Sequence, residues 1–125
     1  MSEPLVLRPA ALGDDPGAVT QALTGAFAEI RAALEAGRPV VVVLDAGDLL
    51  GQGAPLDAAV ATALLGMVRT LGIEGAKPGW RVNVVAGGPE DAAAIEETVA
   101  MLGRSSSVTG QLLQVGGANL GKLPA

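Results

Sequence analysis

The chain contains no cysteine, no histidine and no tyrosine, and only one tryptophan and one phenylalanine. Without cysteine there are no disulfides, thiolate nucleophiles or thiolate metal sites. Without histidine the commonest metal ligand and general acid–base group are missing as well. Positive charge is also scarce. Eight Lys and Arg stand against thirteen Asp and Glu, for a net charge of −5, and the basic residues are scattered. Binding phosphates needs clustered cations, which argues against nucleic acid and anionic membrane surfaces as partners. The N-terminal stretch MSEPLVLRPAALGDD offers no apolar run long enough for a signal or a membrane span, so a cytoplasmic location is expected.

What remains is apolar and small. Half of the 125 residues are hydrophobic, 17% are charged and 2% are aromatic, so Ala, Val, Leu and Gly must do the packing. The length fits one domain. A chain this small and this apolar has too much surface for its own core, and some apolar faces are expected to lie against another subunit.

The stretch from Asp57 to Gly88 organises the chain. Val60, Leu64, Met67, Val68 and Leu71 recur at helical spacing, Pro78 and Gly79 stop the pattern, and Arg81–Ala86 is a β-branched, fully buried strand. Ahead of it come a short strand at Leu5–Arg8, a loop to Gly17, a helix over Val19–Ala36 and a strand at Val40–Leu44. The helix carries Leu23, Phe27, Ile30 and Leu34, with a smooth side of Ala22, Gly25, Ala26 and Ala33. A Gly-rich loop from Asp45 to Pro55 follows at the carboxyl end of the second strand, where open parallel sheets bind ligands. After the central unit come a Gly-rich corner at Gly87–Gly88–Pro89, an Ala-rich helix over Glu90–Leu102, a polar turn at Ser105–Ser107 and a last strand at Val108–Val115. This β-α-β-α-β-α-β order predicts an α/β fold: about four parallel strands in chain order and three helices.

The motifs are thin. Gly116–Lys122 fits the G-x4-G-K spacing of a phosphate loop, but neither a following Ser or Thr nor a helix N-terminus accompanies it. Asp45, Asp48 and Asp57 could converge on a hard cation, though the plainer reading puts Asp57 at the start of the central helix as its cap and Asp48 in a turn. Ser105–Ser107 has no histidine base, and a Ser–Lys pairing with Lys77 or Lys122 has no further support. Trp80 reads as a packing residue at the mouth of the strand, able to join an interface.

Two blocks carry a resemblance. Ala63–Gly88, ALLGMVRTLGIEGAKPGWRVNVVAGG, resembles the segment of short-chain dehydrogenase/reductases in which a helix leads into an R-V-N-x-V-x-P-G strand and loop. Val108–Gly117, VTGQLLQVGG, resembles that family's last strand, and the helix around Leu23–Phe27 resembles the one that carries N-L-x-G. The resemblance runs from about Leu5 to Gly117. It implies the C-terminal half of a three-layer, Rossmann-like doubly wound sheet. The T-G-x-x-x-G-x-G segment and the dinucleotide-binding half have no counterpart, so no cofactor is expected on this chain, and NAD(P) is expected only in a partner subunit.

Carried over by the same alignment, the catalytic Asn falls on Ala22, the Ser on Asp45 or Ala46, the Tyr on Asp57 and the Lys on Ala61. The resemblance therefore implies no family chemistry in this chain. It implies a hetero-oligomer with a full-length family member, through retained helices bearing Leu23, Gly25, Ala26, Phe27, Ile30, Leu64, Met67, Val68 and Leu71, together with Trp80. The lack of the preceding strands should leave Leu5–Arg8 as a raw sheet edge. A different reading makes the chain a homo-oligomeric scaffold, or a small-ligand protein with a pocket beside Gly47–Gly53 and Gly87–Gly88.

Overall fold

The computed structural model describes residues 3–116. The sequence order becomes β1 (Leu5–Leu7), α1 (Pro16–Glu35), β2 (Val40–Asp45), α2 (Ala46–Leu49), α3 (Pro55–Glu74), β3 (Val82–Gly87), a 3₁₀ turn (Pro89–Asp91), α4 (Ala92–Arg104) and β4 (Leu112–Gln114). The strands form one parallel sheet in the order β1-β2-β3-β4, as expected from short crossovers.

Two apolar clusters sandwich the sheet. Alternate residues Val40, Val42 and Leu44 of β2, with Val82 and Val84 of β3, meet Ile30 and Leu34 of α1 and Val60, Leu64, Val68 and Leu71 of α3. The intervening Val41, Val43 and Val85 meet Ile95, Val99 and Leu102 of α4 on the opposite face. Strands buried on both sides need apolar residues at every position, which is why β2 reads as an unbroken Val run. The three-layer α/β architecture inferred from the resemblance is the observed one.

Several boundaries move for local reasons. α1 starts at Pro16, because Asp15 caps it by accepting the Gly17 N–H at 2.9 Å and Pro suits the first turn. α3 starts at Pro55 behind Ala54, so Asp57 does not cap it, and it ends at Glu74 rather than at Pro78. The Asp45–Pro55 segment is not all loop: Asp45 accepts the Gly47 N–H at 2.7 Å and starts the single-turn α2, a fourth helix, which places Asp48 in a helix instead of a turn.

The last strand is shorter than Val108–Val115 because side chains replace part of its ladder. Thr109 Oγ1 accepts the Val82 N–H and donates to the Trp80 carbonyl, while Asn83 Oδ1 accepts the Gln111 N–H. α3 is apolar and long enough to cross a membrane on length and composition alone, but its Val60, Leu64, Leu65, Val68 and Leu71 sit in the core. The Gly116–Lys122 motif beyond Gly116 lies outside the described residues.

Candidate functional site

The carboxyl ends of β1 and β2 open into a cavity of about 190 Å³. Pro9, Ala10 and Ala11 wall one side. Val43, Leu44 and Asp45 of β2, Asp48 of α2, and Asp57, Val60 and Ala61 of α3 form the rest. Asp45, Asp57 and Ala61, residues on which the resemblance places the family's Ser (there Asp45 or Ala46), Tyr and Lys, line this one cavity. Ala46 is fully buried behind it. Ala22 is not there: it lines a neighbouring groove beside β1.

Two of the three carboxylates serve the backbone. Asp45 caps α2, and Asp57 Oδ1 accepts the Leu12 N–H at 3.0 Å, stitching the loop after β1 onto α3. Each thus engages one carboxylate oxygen with a backbone N–H. Among the described residues no group of three or more acids could hold a metal ion.

Asp48 is the tense member of the three. Burial first, then the charges of Asp45 and Asp57, raise its pKa above the ordinary aspartate value. A carboxyl that holds its proton more tightly folded than unfolded favours folding below the ordinary aspartate range. That contribution is lost as pH rises through the raised value, leaving a charged, destabilising group at neutral pH. Asp48→Asn is therefore expected to raise Tm at pH 7 by roughly 2 °C, about 0.5 kcal/mol once solvent screening is allowed for. Calorimetry should show the gain shrinking as the buffer is acidified. No gain at pH 7 would mean that water fully screens the cluster.

The remaining residues singled out by sequence are divided between core and surface. Ile30, Leu64, Val68, Leu71 and Ala26 are buried in the chain's own core, so they cannot form an interface as supposed: each lies on the inner stripe of its helix, against the sheet. Leu23 and Met67 are half-buried at the edge of the same cluster. Phe27 is 42% exposed, and Gly25 is exposed on the groove beside β1. Trp80 is half-buried: it stacks on Gly75, whose absent Cβ makes the room, and the Arg31 guanidinium lies 5.2 Å from its ring centre.

Ser105 is structural, its Oγ accepting the Val108 N–H at 3.1 Å. The expected pocket beside Gly47–Gly53 and Gly87–Gly88 is displaced. Gly87 and Gly88 are buried, Gly87 against Ile95 and Val115, and the cavity opens instead towards Pro9–Ala11. That wall passed as plain loop in the sequence. Its one available signal was its place after the first strand, at the ligand-binding end of a parallel sheet.

The comparisons agree with this fold. A family model described as "SDR-like: Short chain dehydrogenase-like protein" matches residues 8–115. No curated protein matches the sequence. Among solved structures, a short chain dehydrogenase/reductase family protein is similar at 24% identity, with a TM-score of 0.68, 90% of this chain covered and 65% of that one. An NADH-dependent reductase A1-R' responsible for alginate metabolism aligns with a TM-score of 0.67 at 19% identity, over 94% of this chain and 65% of that one. An oxidoreductase of the same family from Brucella ovis, in complex with a partially ordered NAD, gives 0.59 at 22% identity, over 91% and 65%. The chain thus spans about 65% of the length of the structures it matches. At such identities the structures speak for the fold alone. The match over residues 8–115 speaks for the family: this chain belongs to the short chain dehydrogenase-like family.

Proposed function

We propose that this chain is a non-catalytic member of the family that assembles with a full-length, NAD(P)-dependent short-chain dehydrogenase/reductase and stabilises or tunes it. The observation that supports the reading is the composition of the strand-end cavity. By the resemblance the family's Ser falls on Asp45 or Ala46, its Tyr on Asp57 and its Lys on Ala61, and the cavity that Asp45, Asp57 and Ala61 line offers no phenol to exchange a proton and no amine to assist it. A carboxylate near α3 accepts a backbone N–H instead. The chain binds no cofactor in this reading, and NAD(P) belongs to the partner.

The surface available for such a partner is the outer side of the α1–α3 layer. On α3 the exposed positions Ala59, Thr62, Gly66, Thr70 and Ile73 follow one helical stripe, and Ile73 is 79% exposed. Phe27 is the large apolar residue exposed on α1. Small residues at such spacing let a facing helix approach closely.

Native mass spectrometry of the protein purified from its own cells tests the reading. The expected result is a mixed assembly with a full-length family member, and a homo-oligomer alone would sink it. Gly66→Arg supplies the control on the surface. A Cβ there meets nothing within 4 Å, and Arg is a better helix former than Gly, so Tm should hold or rise slightly while the mixed assembly is lost. A mixed assembly that survives Gly66→Arg would move the interface elsewhere.

A further inference from the structure

We draw no further inference here: the strongest candidate, the cavity of about 200 Å³ between the end of α1 and the turn ahead of β3, carries nothing, since Arg38 and Arg81 in its wall already donate to the Glu3 and Ser105 carbonyls and nothing in the structure shows what fills it.

Discussion

Replacing Asn83 by leucine is expected to destabilise the fold by about 4 kcal/mol, even though the two side chains are similar in size and the position is buried. Asn83 is the buried polar residue of the core, 3% exposed, on a strand otherwise made of Val, Ala and Gly. Its Nδ2 donates to the Val108 carbonyl at 2.9 Å and its Oδ1 accepts the Gln111 N–H at 3.1 Å. The amide therefore fastens the approach to β4 on either side of the main-chain bond from Gly110 to the Val82 carbonyl. Leucine fills the space but leaves both backbone groups unpaired, each costing roughly 1–3 kcal/mol. Against a typical total of about 5–15 kcal/mol, that is a large fraction. Urea unfolding should show the loss, and amide exchange should be fastest over residues 108–114. A loss below about 1 kcal/mol would mean that water replaces the amide, and the fastening role would be wrong.

Gly72→Ala is expected to cost about 3 kcal/mol, at the upper end of the usual range for overpacking. Alanine normally strengthens a helix relative to glycine, by up to about 1 kcal/mol, so propensity alone predicts the opposite sign. Packing decides. A Cβ on Gly72 would lie 2.7 Å from the Gly110 Cα and 3.0 Å from its nitrogen, and these are backbone atoms that cannot swing aside. Gly110 itself has φ +71° and donates its N–H to the Val82 carbonyl at 2.8 Å. It holds the last turn before β4 in place, so the helix must move instead. Thermal unfolding of Gly72→Ala beside Gly66→Ala separates the effects, since a Cβ at Gly66 is unobstructed. Equal Tm values for the two variants would show that the close approach of α3 to the Gly110 turn costs nothing.

Much of the fold was legible because it rests on one-dimensional signals. Unbroken valine runs mark strands covered on both faces, and the spacing of Leu23, Phe27, Ile30 and Leu34 or of Val60, Leu64, Val68 and Leu71 marks the helices between them. The candidate site was legible only in part. That Asp45, Asp57 and Ala61 share one cavity follows from strand ends and helix starts lying together in a parallel sheet. What each acid does was not readable. Asp57 carries the marks of a helix cap, yet it accepts an N–H from Leu12, 45 residues away. No local pattern encodes such a bond.

The sequence alone determined which residue types this chain lacks and the order and kind of its elements, since residue types and apolar periodicity are local properties. It also fixed the family, through blocks at Ala63–Gly88 and Val108–Gly117. The tertiary structure decided which side of each helix is inward. Ile30, Leu64, Val68 and Leu71 went to the sheet, while Gly66, Thr70 and Ile73 stayed outside. It decided as well that Gly72 lies against the Gly110 turn and that Asn83 holds the segment ahead of β4. Those outcomes depend on which distant segment arrives at each position, and a sheet assembled from separated strands is settled only by its long-range packing.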